Sequence, residues 1–404
     1  MNFVQTLRKR SELQPGVPAL IDRYFSKDRV LTYSGLNRLV DFLSIQLREA
    51  KLLPGDRVLF GLDPGQEMYG YLLAALEVGA VPILYDDSKP HHEFISWVEA
   101  LEPKFVLIPK RGWVGSHFDA ALKKIPTKIV IGRVRSSMRL LRLGKLGTLE
   151  EGSPNAVALY YLVSETPGHL ALRAWSQRQL HESAQFLVSE LKLKAGEIDL
   201  CASPLNLIAN LAAGLTSVIT CHSPRGIERQ VEKFKPTRIA AESKLIRWLF
   251  RKSTSPLHRV FITNAPITQE EVDFFRARNQ RASIELIFCE DLPLAGVSLK
   301  EYENDGIATL VGSFFSAVQA KVSSGETGSG APSKSESGPT GSPLEAVGEL
   351  LVRAQFLPSR QSLSDLSTGI EVVTVSTNGV WHPTGVIGYF DDQSRFWLTN
   401  RTSP

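Results

Sequence analysis

Between Ala120 and Leu149 of the 404-residue chain no Asp or Glu occurs. Lys123, Lys124, Lys128, Arg133, Arg135, Arg139, Arg142 and Lys145 all fall there, with Met138, Leu140, Leu141 and Leu143 between them. A basic segment interleaved with apolar residues can lie on an anionic membrane surface. The same composition also suits a solvated basic face or a protein-docking patch, and the residues alone leave these readings open. Other reactive side chains exclude more than they propose. Cys201, Cys221 and Cys289 are far apart and odd in number, and no CxxC pair occurs. That excludes a disulfide scaffold and argues against structural zinc. No HExxH or GxSxG motif is present, and Ser164 has no recognisable partner base, so a hydrolase of either type is not expected. A net charge of +4 over a chain of this length gives no reason to expect a nucleic-acid partner.

The elements that position these side chains read as alternating helices and strands. Leu36, Leu39, Val40, Leu43 and Leu47 recur at helical spacing, Pro54-Gly55-Asp56 makes a turn, and Arg57–Gly61 reads as a buried strand. A helix over Glu67–Val78 ends at Gly79, a strand follows over Val81–Tyr85, a helix over His92–Leu101 and a strand over Phe105–Ile108. Strands over Ala156–Val163, Arg238–Ala240, Val260–Thr263 and Ile284–Phe288 and helices over Gln177–Leu191, Lys244–Phe250 and Gln269–Asn279 repeat this grammar, which predicts an α/β fold with parallel strands. The expected organisation is a first α/β lobe over 1–155, a second over 156–321, a flexible Ser/Gly-rich insertion over 322–342 and a small β subdomain over 343–404. The insertion lacks the apolar residues needed to offset the entropy of ordering it. With 43% hydrophobic residues the rest is apolar enough to bury sizeable cores. The most apolar stretch, Leu205–Cys221, is interrupted by Asn206, Asn210, Thr216 and Ser217, so it predicts buried core rather than a membrane span. With no signal-peptide pattern at the start, a cytoplasmic location is expected.

The order of segments resembles the adenylate-forming, AMP-binding superfamily of acyl- and aryl-CoA synthetases, luciferases and peptide-synthetase adenylation domains. LTYSGLNRLVDFLSIQLREAKLLPGDRVLFGL and YLLAALEVGAVPILYD are similar to its opening helix, turn and strands. HRVFITNAPITQEEVDFF, GELLVRA and GVIGYFDDQSRFWLTNR are similar to later segments of its large N-terminal domain. The tail and GLTSVI resemble the fatty-acyl synthetase branch that includes olefin-pathway β-lactone synthetases. The resemblance implies ATP and Mg²⁺ as cofactors, and joining of a carboxylate to AMP.

Laid on the family pattern, the phosphate loop falls on Val163–Leu172 and keeps Ser164, Thr166 and Gly168. Glu165, Leu170, Ala171 and Leu172 replace a glycine, a proline, the cationic lysine and the last glycine. A carboxylate beside a triphosphate repels it by on the order of 4 kcal/mol at about 4 Å and an effective dielectric near 20. Arg173 or Arg178 would restore the missing cation only by reaching back. Glu290 matches the family's metal-ligand carboxylate, Leu286 replaces the aromatic that stacks on adenine, and Cys289 replaces a threonine. Val386 stands in Thr384-Gly385-Val386 where the family has a ribose-gripping Asp. Asp391 and Asp392 match a turn, and Arg401 matches the arginine near the domain hinge. Asn206 and Asn210 replace the residues that gate the acyl site, and Asn264 replaces a glycine that lies against the base.

The resemblance also implies that the chain ends where the family's small, lysine-bearing C-terminal domain would begin. The expectation is therefore a divergent, catalytically impaired member that serves as a scaffold or as the partner of an acyl-processing protein. An active acyl-adenylate or acyl-CoA synthetase completed by a domain from another chain is the alternative. An acyl- or lipid-binding module using the apolar Pro204–Leu215 segment is the third.

Overall fold

The computed structural model describes residues 2–24, 27–85, 94–109, 123–131, 150, 152–166, 169–201, 203–220, 223–252, 257–263, 265–278, 282–289, 292–304, 308–323, 347–361 and 381–399. The chain divides into two units, one of Met1–Pro236 with Phe356–Thr377 and one of Thr237–Gln355 with Asn378–Pro404.

In the first unit the order is α1 (Val4–Leu13), β1 (Pro18–Tyr24), β2 (Lys27–Thr32), α2 (Tyr33–Glu49), β3 (Arg57–Phe60), α3 (Gln66–Val78), β4 (Val81–Tyr85), α4 (Phe94–Leu101), β5 (Phe105–Pro109), β6 (Thr127–Ile131), β7 (Val157–Thr166), β8 (His169–Ser176), α5 (Gln177–Glu190), β9 (Ile198–Cys201), α6 (Pro204–Ala213), β10 (Thr216–Ile219) and α7 (Pro224–Phe234). In the second it is β11 (Arg238–Ala241), α8 (Ser243–Lys252), β12 (Arg259–Ile262), α9 (Gln269–Arg278), β13 (Ser283–Cys289), β14 (Pro293–Ser298), β15 (Ala308–Phe314), β16 (Gln319–Val322) and β17 (Gly348–Arg353). The chain then returns to the first unit as β18 (Ser359–Gln361) before β19 (His382–Phe390) and β20 (Phe396–Thr399) complete the second.

A seven-stranded sheet ordered β18-β8-β7-β4-β3-β5-β6 organises the first unit. β7, β4, β3, β5 and β6 run parallel, and β8 and β18 add antiparallel strands. β3 and β4 read as near-continuous apolar runs and are buried along most of their length, as central parallel strands are. Trp97 and Phe94 of α4 pack there against Leu59, Ile83, Val106, Tyr160, Leu162 and Leu172. Gly79, at φ +80°, ends α3 in the left-handed region that glycine enters without a Cβ penalty. α5 begins in a capping box: the Gln179 N–H donates to Ser176 Oγ at 3.1 Å and the Ser176 N–H to Gln179 Oε1 at 3.0 Å. A second group of strands, β2-β1-β10-β9, lies in the same unit, with β1, β10 and β9 parallel.

The second unit carries the order β16-β17-β19-β20-β15-β14-β13-β12-β11. β11, β12 and β13 are parallel, with α8 and α9 as crossovers, and from β14 onward the pairing is antiparallel. The domain boundaries fall differently from the expected ones. β7 and β8 complete the sheet of β3–β6, so residues 156–236 belong with the first unit rather than opening a second lobe. Val322, expected in the flexible insertion, is the last residue of β16 and pairs with Leu350; residues 324–342 lie outside the described set. β17, β19 and β20 form no subdomain of their own, because β20 pairs with β15 through Ala308↔Thr399 and extends the same sheet. Among the described residues no helix is long and apolar enough to cross a membrane.

Candidate functional site

The segment read as a phosphate loop is a β-hairpin. β7 and β8 pair through Leu162↔Leu172, Val163↔Ala171, Ser164↔Leu170 and Thr166↔His169, with Glu165 as the extra residue of a bulge. An antiparallel ladder commits the N–H groups of alternate residues to the facing strand. Only two residues separate the strands, and one of them, Pro167, has no N–H. A triphosphate needs several bare N–H groups converging on its oxygens, and the paired residues of β7 and β8 direct part of theirs to each other instead. Ser164 and Thr166 are placed in β7 by their backbone, whereas Gly168, Glu290, Arg401 and Asn264 lie outside the described residues. Arg173 is buried within β8, 4% exposed. Arg178 sits on the first turn of α5, exposed, with the whole of β8 between it and the hairpin end, roughly 25 Å at 3.3 Å per residue.

In the second unit, the carboxyl ends of β11, β12 and β13 form the edge at which open parallel sheets bind ligands. Leu286 is fully buried in β13 opposite Ile262 and Val297, so it is core and presents no ring to a base. The segment after β12 is held by Tyr302, which sequence reasoning did not single out. Its hydroxyl donates to the Ile267 carbonyl at 2.9 Å and accepts from the Ile267 N–H at 3.1 Å. Tyr302 is 2% exposed, and burial pushes its phenol up to about 12, so it stays neutral and able to donate at ordinary pH.

At the ribose position the backbone satisfies itself. Thr384 Oγ1 donates to the Leu350 carbonyl at 2.9 Å and accepts from the Val386 N–H at 3.2 Å. Gly385 has φ +72°, and its N–H donates to Glu349 Oε1 at 2.9 Å. Val386 brings no acceptor, but the tertiary structure brings a half-buried carboxylate, Glu349 of β17, onto the adjacent residue. The signal for it was present, since Glu349 stands in the GELLVRA segment, but only cross-strand register places it beside Gly385. Asp391 is a turn residue, as expected. Its Oδ1 accepts from the Gln393 and Arg395 N–H groups at 3.0 and 2.9 Å, and its Oδ2 from Trp397 Nε1 at 2.9 Å. These donors hold its carboxyl down at about 2.

The apolar acyl segment is α6, whose Leu205, Leu207, Ile208, Ala209 and Leu211 are buried. Asn210 is structural: its Nδ2 donates to Asp199 Oδ2 at 2.7 Å and to Ser217 Oγ at 3.1 Å, tying the helix to β9 and β10. Asn206 on the same helix is half-buried. Of the basic segment, Lys123, Lys124 and Lys128 are described and exposed, and Lys124 pairs with Glu99; the rest falls outside the described residues. Among the described residues no three His, Cys, Asp or Glu gather as a metal site.

Three comparisons with known proteins agree on the lineage. A family model described as AMP-binding enzyme matches residues 7–357. The olefin beta-lactone synthetase of Stenotrophomonas maltophilia (strain K279a) is 23% identical to this chain over 93% of its length and 73% of the relative's. A long-chain-fatty-acid-CoA ligase from Archaeoglobus fulgidus superposes with a TM-score of 0.78 at 14% identity, covering 100% of this chain and 84% of the ligase. The N-terminal domain of FACL13 from Mycobacterium tuberculosis gives 0.77 at 15% identity over 99% of this chain and 100% of that domain. The α/β architecture is that of adenylate-forming N-terminal domains.

Proposed function

The chain belongs to the AMP-binding enzyme family, and from that premise we propose that it is an acyl-CoA synthetase-like member that no longer adenylates efficiently and serves as a scaffold or protein partner in acyl or lipid metabolism. The observation that carries this reading is the β7–β8 ladder, which commits backbone N–H groups across Val163–Leu172 to strand pairing. The absent ribose acceptor at Val386 and the buried Leu286 support it from the other unit. A site that leaves ribose hydroxyls without acceptors forfeits roughly 1–3 kcal/mol for each buried unpaired group. Calorimetry with ATP–Mg²⁺ tests the proposal. The expected result is no binding at micromolar concentration, and micromolar binding would overturn it.

One observation favours a second reading, an active acyl-adenylate or acyl-CoA synthetase completed by a domain from another chain. Glu349 holds a carboxylate at Gly385 and could accept from ribose hydroxyls in place of the missing Asp. On that reading, ATP with Mg²⁺ is the cofactor and carboxylate-dependent pyrophosphate exchange appears when neighbouring gene products are added. Glu349→Gln should then lower the exchange by about tenfold, the equivalent of one charge-assisted hydrogen bond. Absence of exchange in every combination rejects this reading.

A further inference from the structure

The second unit carries a concentration of guanidinium groups that the nucleotide reading does not use. On α9, Glu270, Phe274 and Arg278 follow one another at four-residue spacing and share one stripe. On α8, Arg247 and Arg251 do the same. The two stripes meet at Phe274, whose ring centroid lies 5.0 Å from the Arg247 guanidinium carbon, 5.7 Å from that of Arg251 and 5.2 Å from that of Arg278. Phe275, one residue on, is fully buried and packs edge-on against both Phe250 and Phe274. Phe274 is therefore the outermost ring of an aromatic cluster anchored in the core. Arg251 and Arg278 are exposed. Only Arg247 is answered by a carboxylate among the described residues, Glu270 Oε1 at 2.6 Å.

Three like charges around one ring are each attracted by its face, and they repel one another. The arrangement favours an incoming anion. The seam is also dipolar. Glu270, Glu271 and Asp273 crowd the N-terminal half of α9, and the side chain of Glu270 is 78% exposed. A bilayer of anionic lipid or a phosphodiester backbone presents uniform negative charge and would meet those carboxylates. A protein surface can set its own carboxylates against Arg251 and Arg278 and a base against the acidic half. Arginine and an aromatic ring are the side chains that dominate protein–protein binding energy.

We propose that the α8–α9 seam docks a protein partner that places carboxylates against Arg251 and Arg278, an apolar side chain on Phe274 and a basic group near Glu270. This site does not depend on whether the chain binds nucleotide.

The test uses the full chain and two labelled synthetic helical peptides of about 16 residues, roughly four turns and long enough to span the seam. One peptide carries Glu at one end, Leu in the middle and Lys at the other. The second has the same composition with its charges scrambled. Fluorescence anisotropy should show the ordered peptide binding more tightly, with affinity that falls as salt is raised. Arg251→Glu with Arg278→Glu should weaken it at least tenfold, while Arg225→Glu on α7 should leave it unchanged. Arg251→Gln with Arg278→Gln, which keeps the side-chain bulk, should weaken it in the same direction and guards against misfolding of the reversal variant. Equal binding of the two peptides, or wild-type binding by the Gln variant, overturns the proposal. Phosphatidylglycerol vesicles that compete for the same arginines with equal strength overturn it in favour of a membrane, and self-association abolished by the variants overturns it in favour of a second copy.

Discussion

The two units use polar side chains in opposite ways. In the first, they are interior struts. Asn210 joins α6 to Asp199 and Ser217, and Glu77 of α3, fully buried, accepts from Ser44 Oγ at 3.0 Å and faces Arg8 at 3.3 Å. In the second, half-buried carboxylates hold turns: Glu349 on Gly385 and Asp391 on the β19–β20 turn. A buried polar group committed to interior partners, as Asn210 is, holds the fold and is withheld from a ligand. A surface group that shapes a turn can do both. The comparison teaches that the interior polar groups of the first unit carry stability, whereas the half-buried carboxylates of the second remain within reach of solvent.

The sharpest way to break the contrast is Asn210→Leu. Losing both donations inside the first unit should cost about 2–4 kcal/mol, read as a lower denaturation midpoint in urea with unchanged slope. A stability loss under ~0.5 kcal/mol would mean the interior polar groups are not struts. Tyr302→Phe should cost less, about 1–2 kcal/mol, for two hydrogen bonds to one loop residue. Faster amide exchange at Ile267 before any change at Phe275 would localise the effect to that loop.

Glu77 gives a test by pH. Burial raises its carboxyl above the ordinary 4.5, outweighing the pull of Arg8 and Ser44, and its Oε2 has no hydrogen-bond partner among the described residues. Asp41 and Arg48 also face it. Between 4.5 and the raised value the folded chain holds a proton that the unfolded chain has released. Stability therefore falls as pH rises through that window. Glu77→Gln should flatten the decline, measured as thermal midpoint against pH, and a profile parallel to wild type would contradict the assignment.

The smallest effect is expected at Asp391, whose carboxyl is held at about 2 against an ordinary 3.8. It stabilises the turn above pH 3.8, and that contribution disappears as pH drops toward 2. Asp391→Asn should cost under about 1 kcal/mol at neutral pH, because the site is near the surface, and should remove this acid-sensitive increment.

Much of the fold was legible in the chain. Val81–Tyr85 and Gly348–Arg353 form strands at the expected limits, and Gln177–Glu190 is a helix within one residue of expectation, because buried strands and a capped amphipathic helix announce themselves through local pattern. The hairpin at 164–172 was read as a loop, since its Pro-Gly and its mixed polar residues look like punctuation. What decides the pairing is β4 and β18, far away in sequence, against which β7 and β8 complete their ladders. Asn210 read as a substituted gate for the same reason: its partners on β9 and β10 are close only once the chain has folded.

Taken alone, the sequence determined the element types, the order of segments and the family, all of which rest on short-range periodicity and on which residue types occupy which positions. Only the tertiary structure decided which side chains meet. It paired β7 with β8 along the segment matched to the phosphate loop, set Glu349 on Gly385, and gathered Arg247, Arg251 and Arg278 around Phe274 from two helices. The physical reason is that hydrogen bonds and charge contacts act over a few ångströms, and residues far apart in the chain reach that range only after burial of the apolar strands has fixed the register.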